Sequence, residues 1–426
     1  MTTAAEAATN DPGFSGILRG PRVLVVGAHE RLGIPAAVSD LGSSVLVCTD
    51  ERMTAEPVFT ELCDGLRSRG LRVTLFARVQ PELPEESIRA CVDEVRTAVP
   101  DVVLGIGGGS CIDHAKVTSL LLAHGGRPAD YYGENRVPGD ILPVVAVPTT
   151  AGTGSEATPV AVLTDSSRPM KVGISSPYLI PHTAIVDPTL TTGCPAGLTA
   201  ATGADALTHC VESYTAIRRG VEPGVSLDRV FVGAGALTDQ YALSGIGLIG
   251  RSLLRAVQDG SYEPAREDMS VAALYGGLAL GTAGTAAAHA IQYPVGAMTH
   301  TAHGVGVGLL LPYVMEFNLP VRVIEMTRVA TELGALGSRG NDDVVATKHT
   351  AEIGIDAVAG LLAAAGIPPT LQELGLERSE LAEVVTLSLM ATRLVENNPR
   401  QLTTEACSRI VEAAFHGDRE YLRDNR

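Results

Sequence analysis

Short, almost unbroken apolar runs alternate with longer stretches of helical periodicity through the first half of the chain. Arg22–Val26, Ser44–Cys48, Arg72–Phe76, Asp101–Ile106 and Leu142–Val147 read as strands. Runs apolar at successive positions suit strands buried on both faces, and the intervening helical stretches predict a parallel sheet covered on both sides. An edge hairpin is expected around Val160–Thr164 and Lys171–Ile174. After Pro188 the β-branched clusters thin out, and long segments such as Val225–Asp259 and Met269–Gln292 carry helical periodicity. Thr347–Arg423 reads as further helices separated by Gly and Pro, and Leu333–Asp343 as a surface loop. The uncharged, Gly/Ala-rich stretch from Gly276 to Ala288 predicts a buried helix in a close-packed bundle. The expected division is a loose, Ala- and Thr-rich extension over 1–20, an α/β domain over 21–193 and a helical domain over 194–426.

Composition narrows the picture. A chain of 426 residues is long enough for two cores. A net charge of −16 argues against nucleic acid or an anionic membrane surface as a partner. Seven cysteines without regular spacing suggest reduced thiols in a cytoplasmic protein. No run of about 18 strongly apolar residues is evident, so no transmembrane helix is expected. Cys210 is expected to be core; Cys111, inside a glycine turn, is expected to confer sensitivity to thiol reagents.

The candidate chemistry falls in both halves. In the second, Asp205 and His209 are four apart, one helical turn on the same face, and His289 and His303 follow downstream. One carboxylate and three imidazoles suit iron(II) or zinc. In the first half, Gly107, Gly108 and Gly109 follow a buried strand and open a helix, where free N–H groups and the helix dipole favour a phosphate. Ser110 and Asp113 have the spacing of an N-terminal helix cap. Pro148–Glu156 is a second loop at a strand end, with Thr149, Thr150, Thr153 and Ser155 able to donate to phosphate, ribose or base edges. Two such loops fit a Rossmann-like sheet that binds its ligand at the carboxyl ends of the strands. Asp50 ends the second strand; it can accept from a ribose 2′-hydroxyl, favouring NAD over NADP, or can cap a helix.

These motifs resemble those of the iron-containing (group III) alcohol dehydrogenases, whose dehydroquinate synthase-like fold joins an α/β domain to an all-α domain. The resemblance runs from about Arg22 to about Asn318. It rests on Gly107–Asp113, Pro148–Glu156, Ile185–Pro188, Ala201–His209, His289 and His300–Gly304. It implies that Asp205, His209, His289 and His303 hold the metal and that the glycine loop holds the pyrophosphate. It further places Thr149, Thr150, Thr158 and Lys171 along the adenosine and ribose side, and Leu190 and Gly193 near the cofactor. Two positions depart from the family pattern. Tyr293 stands four residues after His289 where many members carry His, and Glu82 replaces an Asn in the turn after the third strand.

The resemblance implies hydride transfer between the nicotinamide and a carbinol carbon in the cleft between the domains, with the metal as Lewis acid. Tyr293, His300 or the ribose hydroxyls would carry the proton, and Val160 would lie where nicotinamide and substrate meet. The expected substrate is a small alcohol, aldehyde or ketone, and the expected assembly a homodimer. Glu212, one turn beyond His209, reads as an exposed helix residue rather than as a support for that ring. A metal- and NAD-dependent cyclase or lyase of the dehydroquinate synthase type would need several Lys and Arg converging on a phosphorylated substrate. A maleylacetate reductase would lack this ligand set, and a nucleotide sensor or metal store would show a broken one.

Overall fold

The computed structural model describes residues 16–168, 170–220, 224–337 and 344–424. Residues 1–15 of the expected extension and 338–343 of the expected loop lie outside the described residues. In chain order the strands are β1 (Val23–Val26), β2 (Ser44–Cys48), β3 (Arg72–Phe76), β4 (Val102–Gly107), β5 (Gly133–Glu134), β6 (Val144–Pro148), β7 (Val160–Leu163), β8 (Val172–Ser175) and β9 (Thr183–Val186). Helices α1 (Ile34–Ser39), α2 (Glu51–Thr54), α3 (Pro57–Ser68), α4 (Glu85–Val95) and α5 (Gly109–His124) run between the earlier strands.

A six-stranded parallel sheet has the order β1-β9-β6-β4-β2-β3. Side chains of a strand alternate between faces. Leu46, Cys48 and Val103 accordingly join one apolar cluster, and Val45, Val47 and Leu104 another on the opposite face. All five residues of β2 are buried, which explains its unbroken apolar run. From β2 the chain proceeds to β3 on one side, then returns to place β4 on the other and continues outward. The C-terminal ends of β2 and β4 therefore flank the point where strand order reverses, the usual ligand crevice of such sheets. The expected hairpin is present as the antiparallel pair β7–β8, to which β5 adds a parallel neighbour. β9 has no counterpart among the strands expected from the sequence; its four residues, soon followed by Pro188, are too short a run to stand out, yet it lies inside the sheet between β1 and β6.

The second half is helical: α6 (Ala196–Thr215), α7 (Val225–Asp228), α8 (Ala236–Gln258), α9 (Glu263–Ala283), α10 (Ala287–Thr299), α11 (His303–Asn318), α12 (Val323–Glu332), α13 (Lys348–Ala364), α14 (Leu381–Met390), α15 (Thr392–Asn397), α16 (Thr404–His416) and α17 (Glu420–Asp424). The two long helices read from periodicity are each broken. Residues 229–235 separate α7 from α8, and Gly284, at φ 78°, ends α9 before α10 departs at 106°. The Gly276–Ala288 stretch is thus a helix end, a bend and a new helix start, all buried. His303–Val321 is apolar and long enough to cross a bilayer, but 83% of its most apolar window is packed inside the protein. It is a core helix.

Residues 16–20 correct the expectation of a loose extension as far as they are described. The Arg19 guanidinium donates to the Val230 and Ser226 carbonyls at 2.6 and 2.7 Å, and Leu18 packs beside Leu274 and Leu278. The loop after β6 meets the helical half through two glycines. A Cβ on Gly277 would fall 2.5 Å from the Gly154 carbonyl oxygen, so backbone touches backbone there. Gly277→Val should force this contact apart and lower stability by about 1–3 kcal/mol, read as a lower urea midpoint; an unchanged midpoint would show that the contact yields without strain.

Candidate active site

α6 is built almost wholly from small and uncharged residues, and nearly every side chain from Thr199 to Thr215 is buried. Within it Asp205 and His209 stand one turn apart. α10 brings His289 in its first turn, and α11 begins at His303. Gly304 allows the start of α11 to seat on α6, since a Cβ there would lie 2.0 Å from the Ala201 carbonyl oxygen. The three imidazole Nε2 atoms converge on one oxygen, Asp205 Oδ1, at 3.4 Å from His209, 3.6 Å from His303 and 3.9 Å from His289. Metal–ligand bonds of about 2.1 Å in a tetrahedral set put neighbouring donor atoms about 3.4 Å apart. The spacing fits a divalent ion. Asp205 Oδ1 and His289 Nε2 are also buried without any hydrogen-bond partner, as expected of atoms that face a common ligand.

Two residues set the rings. His289 Nδ1–H donates to Glu212 at 2.6 Å, and His303 Nδ1–H donates to Gln292 Oε1 at 2.7 Å, leaving each Nε2 lone pair aimed inward. Burial, aided by the His209 ring, pulls the pKa of His289 down to about 3. Burial does the same to His303. Both rings are neutral near pH 7, the form that can bind a metal. Glu212 is buried, contrary to its reading as an exposed residue. Besides His289 it accepts from the Ala286 and Ala288 amides at 2.8 and 2.6 Å. Burial pushes its pKa up, and those amides oppose the rise.

The cluster opens into a cavity of about 530 Å³ that extends to the ends of β2 and β4. That size suits a small-molecule cleft. Asp50, Gly108, Gly109, Ser110, Asp113, Thr150, Thr153, Thr158, Val160 and Lys171 line it together with Asp205, His209, His289, His303 and Tyr293. Asp50 serves as a helix cap, Oδ1 accepting from Met53 N at 2.7 Å, while it also faces the cavity. The expected Ser110–Asp113 cap is absent. Gly108 is the N-cap of α5 with no side-chain cap bond, and the Asp113 carboxylate is drawn away by Ser155 Oγ and by Val162 N at 2.9 Å. Lys116, which sequence reasoning passed over, joins the same knot. Fully buried, it donates to Thr158 O, Thr158 Oγ1 and Val160 O at 3.0, 3.1 and 2.8 Å. Burial lowers its pKa to about 8 while Asp113 and Glu156 hold it up.

Several expected residues stand outside the cavity wall. Gly107 is the last residue of β4, where its carbonyl accepts from Thr149 N at 2.9 Å; Thr149 is buried behind the loop. Leu190 packs under the sheet, and Gly193 lies in an exposed turn. His300, one of the three proton carriers expected, caps the end of α10 at φ 55°, is exposed and is not part of the cavity wall. Tyr293 does line the cavity, its ring 6.4 Å from that of His303. Glu82 pairs with Lys171 at the cavity rim. Gln292, three residues from His289 and buried behind the His303 ring, and Arg393, on α15 and in the cavity wall, are residues that no motif marked. A second group, Cys48, Cys91 and His114, also has metal-like proximity. There both ring nitrogens of His114 are taken, by the Ser87 carbonyl and Thr118 Oγ1, which makes it a satisfied core histidine.

A parallel sheet with a glycine turn at its reversal point, facing a buried carboxylate and three imidazoles across a cleft, defines a dinucleotide-linked oxidoreductase. Residues 21–188 match the family model described as iron-containing alcohol dehydrogenase, and residues 199–415 match its C-terminal counterpart. The chain is 36% identical over 384 residues to long-chain-alcohol dehydrogenase 1 of Geobacillus thermodenitrificans, covering 89% of this chain and 92% of the relative. It is 33% identical over 396 residues to the NAD-dependent methanol dehydrogenase of Bacillus methanolicus, covering 93% and 98%. A crystal structure of 1,3-propanediol oxidoreductase superimposes with a TM-score of 0.86 at 31% identity, over 94% of this chain and 100% of the other. The chain belongs to the iron-containing alcohol dehydrogenase family.

Cys111 departs from its expected reactivity. It is 2% exposed, and burial, with Asp50 beside it, raises its pKa to about 12. Thiols that are buried and protonated react slowly, and the other six cysteines are buried as well. Titration of the native protein with a chromogenic disulfide near pH 8 should find almost no reactive thiol, and all seven after unfolding. Rapid labelling of one native thiol would restore the original expectation for Cys111.

Proposed function

We propose that this chain interconverts a small alcohol and its aldehyde or ketone with NAD at the Asp205, His209, His289 and His303 cluster. The convergence of three Nε2 atoms on one carboxylate oxygen, inside the cleft that begins at the glycine turn, carries this reading. The donor set suits iron(II), and zinc equally well. A divalent ion held there would supply Lewis acidity toward the alcohol or carbonyl oxygen, and bound NAD would supply the hydride acceptor or donor.

The chain's own residues do the rest. Gly108 and Gly109, at the start of α5, offer backbone N–H groups to the pyrophosphate, and Thr150 and Thr153 pack directly beside them on the cavity wall. Lys116 and Asp113 bind the glycine turn to the hydroxyl-rich loop, so the two sides of the cofactor site move as one. Asp50 keeps one oxygen for the α2 cap, which leaves the other for a ribose hydroxyl and sets a negative charge against a 2′-phosphate. Val160, Phe231 and Leu280 give the reacting end of the cavity an apolar wall that limits water. Tyr293 stands in that wall. Burial raises the pKa of its phenol, so it stays protonated near pH 7, the form that delivers a proton to the product of carbonyl reduction.

The cyclase alternative is not favoured. Lys171 is paired with Glu82, Arg52 lies at the opposite, Asp50 end of the cavity, and Arg393 is a single cation beside His289, so among the described residues no cluster of Lys and Arg gathers at the histidines. The homodimer rests on the outer edge of β1, which among the described residues pairs only with β9 and where Val23, Leu24 and Val26 are each at least 40% exposed. Reduced, buried thiols suit a cytoplasmic protein.

His289→Ala should lower metal content from about one ion per chain to a small fraction and reduce turnover at least about 10²-fold, with NADH binding largely kept. Elemental analysis beside NADH fluorescence titration reads both, and full turnover in the variant would remove the metal assignment. Asp50→Gly should lower the NAD-over-NADP ratio of kcat/KM by about 10–100-fold, the worth of a hydrogen bond to a charged group. An unchanged ratio would place the ribose contact elsewhere.

A further inference from the structure

One charge in the cavity wall has no use in the chemistry above. Arg393 reaches from α15 into the cavity beside Phe231, Thr285, His289 and Tyr293, on the side away from the glycine turn. Its guanidinium lies over the Phe231 ring, 4.2 Å from the centroid, and its Nη1 is buried without a hydrogen-bond partner. The two acids whose fields reach it are occupied elsewhere. Glu212 serves the Ala286 and Ala288 amides and His289, and Glu134 accepts from Val230 N at 3.0 Å. Guanidinium keeps its charge even when buried, and it offers a planar fork of donors matched to a carboxylate. A buried cation facing a cavity without an anionic partner is costly unless a ligand supplies one.

The cofactor is the wrong anion for it. The pyrophosphate belongs at the start of α5, with Gly108, Gly109 and Thr150, and the adenosine ribose near Asp50. A divalent ion at the histidine cluster would repel it. What remains is the substrate, held with its reacting carbon at the histidine cluster. We propose that Arg393 binds an anionic group, a carboxylate or sulfonate, on the end of the substrate remote from the reacting carbon. The preferred substrate is then a short aldehyde or alcohol with a terminal anion. This deepens the dehydrogenase reading and rests on it.

The test compares NADH-dependent reduction of butanal and of its carboxylated analogue, 4-oxobutanoate, by metal-loaded wild type, Arg393→Gln and Arg393→Lys. The wild type should favour 4-oxobutanoate by about 10–100-fold in kcat/KM, the worth of a charge-assisted hydrogen bond. Arg393→Gln should abolish that preference chiefly through KM, and Arg393→Lys should restore part of it. Turnover of butanal without preference for the anion in the wild type overturns the assignment and leaves the dehydrogenase reading standing. So does a preference that survives Arg393→Gln, or a variant whose only change is a higher KM for NADH. Turnover of neither substrate overturns the dehydrogenase reading and this inference with it. The wild-type comparison requires no variant to fold.

Discussion

The Glu212 carboxylate is the constraint on which the site's geometry depends. Only three residues separate α9 from α10, inside the apolar core, and the first N–H groups of α10 have no partner within their own helix. Leaving each of them bare would cost about 1–3 kcal/mol. Glu212 accepts from two of them and from the His289 ring. A single side chain therefore makes the sharp bend after Gly284 tolerable, joins α6 to α10 and fixes which nitrogen of His289 faces the cluster. Asp205, His209 and Glu212 lie at successive turns of α6, so one helix stripe presents two of the proposed ligands and the support for a third.

The cofactor half is stitched with similar economy. The reversal point between β2 and β4 leaves a crevice, and the loops after β2, β4 and β6 fill its rim. Lys116 and Asp113, one turn apart in α5, bond to the loop and strand that follow β6. The glycine turn is thereby left free of side-chain caps, with its backbone donors open to the cavity. The Gly154–Gly277 contact then brings this assembly against α9, which carries it up to the histidine-bearing helices.

Much of this was legible in the sequence, because the relevant signals are local. β2 and β3 fall on the apolar runs Ser44–Cys48 and Arg72–Phe76, and the four residues of the cluster stand in motifs whose spacing survives folding. The failures are equally physical. Periodicity could not see the break before α10, since residues on both sides remain apolar and Gly284 acts through its backbone, and before α8 the apolar run Val230–Val232 carries the pattern on past the end of α7. Ser110 and Asp113 have cap spacing, but tertiary partners claim Asp113. Glu212 looked exposed because charged residues usually are; the signal available was the near absence of other charge along α6, which leaves that helix no wet face. Arg393 carried no local signal, and only the packing of α15 brings it to the cavity.

The proposed ligands also have a consequence for the chain as a polymer. Asp205 and His209 belong to one helix, His289 opens a second and His303 a third. An ion held among them is a removable cross-link joining α6, α10 and α11. In the unfolded chain the same groups are far apart, and gathering them carries a loop-closure entropy that the folded chain has already met. Loading then moves the folding equilibrium itself, by about 2.7 kcal/mol when free ion is about a hundredfold above Kd. Metal supply would in that way govern the lifetime of the protein against proteolysis as well as its turnover.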